Sequence, residues 1–144
     1  MDESTRRTLA DFNKEMKTLD DVYRNAAKSS DMGECAFWIL YTLRVEEKPF
    51  TQAEICAFLA EPKQTVNSAL KKLEAEGYLA LHAGADQRSK TVRLTEKGER
   101  LAETRVDWIP EAEAAALRGM TQEEQTMFLR LLGRYRTLFA RQLK

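Results

Sequence analysis

Within the stretch PKQTVNSALKKLEAEG, residues 62–77, the side chains of Lys63, Gln64, Thr65, Asn67, Ser68 and Lys71 all donate hydrogen bonds or carry positive charge. Gln64 and Asn67 are amides, the groups that bind adenine bidentately through its exposed nitrogens in the major groove, where an arginine would favour guanine. This leans a half-site toward A/T. Lys63 and Lys71 suit phosphate, a contact that positions a protein on a duplex without reading it. Val66, Ala69, Leu70 and Leu73 recur at helical spacing on the other side, so the stretch reads as a helix with one face to pack and one to present. Downstream, DQRSKTVRL at 86–94 puts Arg88 and Lys90 on the tip and return leg of a hairpin. Arg88 suits a narrow A/T-rich minor groove, where negative potential concentrates, and Asp86 is placed to brace it.

These side chains need elements to hold them. Thr51 and Glu54 in TQAE make a capping-box pattern that opens a short helix from Gln52 to about Ala60, with the Thr51 hydroxyl and Gln52 at its start placed for phosphate. Pro62 disfavours helix at Glu61 and suits the first turn of the next helix, which Gly77 ends. YLALHA and KTVRL alternate around the turn residues GADQRS, the pattern of a β-hairpin. Helix, tight turn, helix and hairpin in that order is a winged helix-turn-helix, whose second helix enters the major groove.

Helices flank this unit on both sides. Leu9, Phe12, Met16, Leu19 and Tyr23 lie on one narrow stripe of a long first helix. Asp31 with Glu34 resembles a second capping box, ahead of the nearly all-apolar CAFWILYTL, which is expected at the centre of the core. Thr95 caps a fifth helix that Pro110 is expected to kink rather than end before Gly119 closes it. TQEE at Thr121 opens a sixth helix with an apolar stripe of Met127, Phe128, Leu131, Leu132, Tyr135, Leu138, Phe139 and Leu143. The stripes of the first and last helices have too little of their own chain to cover them, which points to a second copy, with Leu9, Phe12, Met16, Leu131, Tyr135, Leu138 and Phe139 in the contact.

The predicted class is therefore mainly α with a small β-hairpin (α+β), a winged helix-turn-helix with long N- and C-terminal dimerisation helices. Residues 1–144 read as a single domain, with 31–98 the winged unit and 1–30 and 99–144 the dimerisation helices. The 43% hydrophobic content of 144 residues supports one sizeable core and an arm, hardly two independent domains.

Charge is informative only in its distribution, since 23 Lys and Arg balance 23 Asp and Glu. From Pro62 to Gly98 seven basic residues face four acidic ones, while residues 1–61 carry eight basic against twelve acidic. A neutral total thus hides a basic reading unit beside an acidic arm, with cations where phosphates lie. No nucleophile and base pair, phosphate loop or metal-ligand spacing is present, so no enzyme, cofactor or metal is expected, and His82 is a lone histidine. Cys35 and Cys56 sit inside apolar runs with nothing basic beside them and read first as small buried hydrophobes, with a peroxide-sensing thiol as the minor option. No signal peptide or long apolar span appears, so the expected setting is cytoplasmic, with no membrane partner.

The run TQAEICAFLAEPKQTVNSALKKLEAEGYLALHAGADQRSKTVRLTEKGERL resembles the DNA-binding core of the MarR family of bacterial transcription regulators, and the flanking helices match that family's six-helix plan. The most specific piece is DQRSK followed by LTEKG. The resemblance implies a homodimer whose first, fifth and sixth helices interlock, with recognition helices in successive major grooves of double-stranded DNA and wing arginines in the minor groove. It further implies a repressor of a pseudo-palindromic operator, tuned by a small aromatic or apolar effector. Asn67 and Ser68 stand where many relatives place an arginine, and Gln87 stands for a second wing arginine, differences that bear on the target sequence. Trp38 and Tyr41 read first as core and second as the lining of an effector pocket. The alternatives are a winged helix used for protein docking and a thiol sensor at Cys35 or Cys56.

Overall fold

The computed structural model describes residues 1–83 and 90–143, in two compact units, Met1–Trp108 and Ile109–Lys144. In the first unit α1 spans Glu3–Ser29, α2 Glu34–Val45, β1 Phe50–Thr51, α3 Gln52–Leu59, α4 Lys63–Ala75, β2 Leu79–Ala83, β3 Lys90–Leu94 and α5 Glu96–Arg105. The helices α6, Trp108–Arg118, and α7, Gln122–Gln142, follow.

The core forms around α2, as its composition demands. Phe37, Ile39 and Leu40 are fully buried, and Thr42, the one polar residue among them, returns its hydroxyl to the Trp38 carbonyl at 2.8 Å, so no bare donor is buried. Ile55 of α3, Val66, Leu70 and Leu73 of α4, Val92 of β3 and Ala102 of α5 are buried as well. A third strand joins the expected hairpin: β1 pairs antiparallel with β3, Phe50 opposite Val92, giving the order β1-β3-β2. Two residues are too short for an alternating pattern, so nothing in the local sequence announces them.

Helix ends follow side-chain chemistry in most places. The Thr51, Thr95 and Thr121 hydroxyls each accept from the backbone N–H three residues on, and Thr121 with Glu124 closes a full reciprocal capping box. The box expected at Asp31 and Glu34 does not form. Asp31 adopts φ 57°, its N–H bonds the Lys28 carbonyl at 3.3 Å, and it terminates α1, while Gly33 caps α2 without a side-chain bond. Asp tolerates the left-handed region better than most residues, so its short side chain stops one helix instead of starting the next. Pro62 is the N-cap of α4 rather than a first-turn residue.

The expected kink at Pro110 is a break upstream. Helix α5 ends at Arg105, Val106 takes φ −121° and ψ −46°, and Pro110 falls in the first turn of α6. A proline ring collides with the carbonyl four residues earlier, here that of Val106, and the chain escapes by ending one helix and starting another, where the missing N–H costs nothing. Side chains flanking the break tie it to the end of α2 and to the end of α1. Arg44 grips Asp107 bidentately, with Nε at 2.8 Å from Oδ1, and Arg105 donates to the Ser30 carbonyl at 2.9 Å. The Asp107 hydrogen bond holds the Arg44 guanidinium above its ordinary pKa.

Gly98, the last residue of LTEKG, is required by packing. A Cβ there would lie 2.0 Å from the Tyr78 carbonyl oxygen, backbone that cannot swing aside. Gly98→Ala is expected to lower stability by at least about 2 kcal/mol, through overpacking. Gly33→Ala, where the new methyl meets nothing within 4 Å, should cost under about 1 kcal/mol. Urea unfolding of both variants checks this; equal midpoints would show that α5 can move off Tyr78 freely.

Candidate nucleic-acid interface

On α4 the buried line of Val66, Leu70 and Leu73 faces the core, and Gln64, Thr65, Ser68, Lys71 and Lys72 are exposed on the far side, with Lys63 exposed at the helix start. Four-residue and three-residue steps put Gln64, Ser68 and Lys71 in one row along the axis, the row that a groove would meet. Asn67 departs from this pattern. At about 100° per residue it lies only about 60° round from Leu70, and it is half-buried against α3. Its Oδ1 accepts a long contact from the Cys56 thiol at 3.9 Å. The exposed amide of the pair is therefore Gln64; Asn67 divides its side chain between the surface and the α3 flank.

The turn that aims α4 runs through Ala60, which closes α3 in the left-handed region at φ 51°, and Pro62. Thr51 is half-buried and spends its hydroxyl on the Glu54 N–H at 3.1 Å; Gln52 beside it is exposed. The Glu54 side chain does not complete the expected box among the described hydrogen bonds, so α3 carries half of one.

At the other end, α4 is held by three consecutive devices. Gly77 at φ 82° completes a Schellman turn, its N–H bonding the Glu74 carbonyl at 2.9 Å and that of Tyr78 bonding Leu73 at 2.9 Å. Thr95 donates its hydroxyl to the Gly77 carbonyl at 2.6 Å while accepting from the Gly98 N–H at 3.1 Å. Lys97 donates to the Glu76 carbonyl at 2.7 Å, with its ammonium 4.7 Å from the centre of the Tyr78 ring. The Thr95 and Lys97 side chains beyond the wing thus fasten the end of α4.

In the sheet, Val92 is buried and Leu94 half-buried on one side of β3, and Arg93 points to the exposed other side with Lys90 exposed at the strand's start. Arg93 and Lys72, which the sequence presents only as part of the basic balance, add to the exposed cations; the alternation of KTVRL is the signal that would find Arg93. Asp86 and Arg88 lie outside the described residues.

Elsewhere, Trp38 and Tyr41 are half-buried and meet edge to face at 5.2 Å, with Tyr23 of α1 5.7 Å from Trp38. Of the residues expected at a dimer contact, Leu9 and Met16 are exposed and Phe12 is half-buried. Leu131, Tyr135, Leu138 and Phe139 of α7 are all more than 40% exposed, and Tyr135 stacks on Phe139 at 6.0 Å. No described helix is long and apolar enough to cross a membrane.

Both cysteines are half-buried free thiols. Burial, with the nearby Glu61, Cys56 and Glu34, pushes the Cys35 thiol above its ordinary value. The thiolate is the reactive form, so a raised pKa leaves less of it at neutral pH. Iodoacetamide at pH 7.5 should alkylate Cys35 in a Cys56→Ser protein several-fold more slowly than free glutathione; a rate above glutathione's would reinstate a reactive sensor thiol.

Residues 35–98 match the family described as Winged helix DNA-binding domain. The uncharacterized HTH-type transcriptional regulator YwoH of Bacillus subtilis (strain 168) is 39% identical over 62 residues, 43% of this chain and 44% of the relative, so the match spans less than half of that protein. A MarR family regulator from Neisseria meningitidis is similar in structure with a TM-score of 0.80 at 23% identity, covering 94% of this chain and 96% of that one. The MepR–DNA complex of S. aureus is similar with a TM-score of 0.60 at 21% identity, over 88% of this chain and 94% of that one. Residues 35–98 thus carry the winged helix of the DNA-binding family that they match, and the chain as a whole has the fold of the solved MarR family regulators.

Proposed function

We propose that the chain is a sequence-specific DNA-binding transcription regulator, acting as a repressor that binds a pseudo-palindromic operator as a homodimer. The observation that carries the reading is the exposed row Gln64, Ser68 and Lys71 on a helix whose opposite face buries Val66, Leu70 and Leu73, followed by a strand with exposed Lys90 and Arg93. Such a helix can enter a groove without disturbing the core. The MepR structure holds DNA, which supports the same partner for this fold.

The roles divide by chemistry. Gln64 reads a base edge, with Thr65 and Ser68 as adaptable hydroxyl contacts and Asn67 contributing from the flank. Lys63, Lys71, Lys90, Gln52 and the Thr51 turn contact phosphate. Arg88, braced by Asp86, enters the minor groove. Two-fold recognition needs a second copy, and Leu131, Leu138 and Phe139, exposed in the single chain, supply an apolar face for it, with Leu9, Phe12, Met16 and Tyr135 joining the contact. Residues 1–30 and 99–144 then serve the dimer and 31–98 the DNA.

One set of measurements tests this. Light scattering should give twice 16.5 kDa. Leu131→Asp or Leu138→Asp, which buries an unpaired charge if the face is covered, should abolish dimer and duplex binding together. On a duplex selected from a random pool, Gln64→Ala should cost about 1–3 kcal/mol and much less on random duplex. Lys71→Ala should weaken both alike and flatten the salt dependence by about one unit. A monomer at micromolar concentration, or a wild-type protein with no duplex affinity at low salt, removes the reading and favours a docking module instead.

A small aromatic or apolar effector is the proposed regulator, seated near the half-buried Trp38 and Tyr41, whose ring faces and edges suit a flat ligand. It acts only by binding one dimer conformation better than the other. Calorimetric titration with aromatic acids and phenols should find a ligand that Trp38→Ala loses; if every ligand found leaves duplex affinity unchanged, regulation at this site is excluded.

A further inference from the structure

Lys97 breaks a local rule. It lies in the first turn of α5 between Glu96 and Glu99, at the end of a helix where the backbone dipole favours anions and disfavours a cation. Its charge is accounted for by a different helix. The ammonium donates to the carbonyl of Glu76, the C-cap of α4, where the dipole favours a cation. Its stem lies across Gly77, with Cδ 3.8 Å from where a Cβ would stand, and its head sits over the Tyr78 ring.

From this we propose that Lys97 is a positioning residue for α4: it sets the angle of the recognition helix from α5 and makes no DNA contact of its own. The proposal rests on the DNA-binding reading above. Thr95 and Gly98 bring α5 against the Tyr78 backbone, and Lys97 carries that placement on to the last carbonyl of α4. The base-reading residues lie at the other end of the same helix. Between positions 64 and 76 the axis runs about 18 Å, so a tilt of about 5° at the C-terminus moves Gln64 by about 1.5 Å. That exceeds what a bidentate base contact tolerates. Loss of the lysine therefore blurs discrimination before it weakens phosphate contacts, which many side chains share.

The test uses the full chain and the duplex selected by wild type, beside random duplex, with Lys97→Met, which keeps the stem, and Lys97→Arg, which restores the cation. Lys97→Met should lower the ratio of selected to random affinity about ten-fold or more, leave the salt dependence unchanged, and speed amide exchange at Gly77 and Tyr78. Lys97→Arg should recover most of the ratio. A salt dependence reduced by about one unit, with equal loss on both duplexes, would make Lys97 a phosphate contact and overturn the proposal. Unchanged amide exchange at Gly77 and Tyr78 in Lys97→Met would likewise overturn it. If that exchange quickens but wild type itself prefers no duplex over another, the fastening of α4 stands and the DNA reading beneath it falls.

Discussion

The Tyr78 carbonyl is the point at which α4, the wing and α5 are held to one another. It follows the Schellman turn that ends α4, precedes β2 by one residue, accepts the Thr95 N–H at 3.1 Å and lies under Gly98. Backbone packed this closely leaves no room for a side chain, so α5 can take that position only with glycine there. The hydroxyl of Thr95 and the ammonium of Lys97 then satisfy the Gly77 and Glu76 carbonyls, which a helix end otherwise leaves without partners. A surface proposed to read bases needs its scaffold fixed to a fraction of an ångström, and this junction fixes the end of α4.

The second unit raises a different demand. Helix α7 runs 21 residues without one that is buried, while Leu131, Leu138 and Phe139 repeat along it. An isolated helix draws little stability from propensity and depends on burying its apolar face. A second copy would meet that demand and at the same time supply the two-fold symmetry that a palindromic site requires, which is why association and DNA reading are proposed together. The neutral net charge is consistent with this division, since cations gather on α4 and β3 and the acidic excess lies in the first 61 residues.

Local chemistry made much of the molecule legible from sequence. Threonine caps at 51, 95 and 121, Gly77 at a helix end, Pro62 in a tight turn and the alternation of KTVRL each express a rule that acts within a few residues, and each appears in the structure. Two readings failed where two local rules competed. Asp31 served as a terminator of α1 because its tolerance of positive φ outweighed its capping tendency, and Pro110 found a helix start instead of a kink because a break at Val106 removed the clash.

Sequence by itself determined which residues are chemically able to read or grip a duplex, because side-chain type and helical periodicity suffice to place Gln64, Ser68 and Lys71 on one exposed row. Only the tertiary structure decided how freely each can act. Asn67 lies to the side of that row, and there the approach of α3 takes up its oxygen with Cys56; nothing along the chain reports a neighbour eleven residues away. Strand β1 exists because β3 lies beside it, and the Lys97 side chain bonds the end of α4 although the residue lies in α5. Contacts between residues distant along the chain depend on how elements pack, and a local pattern carries no record of them.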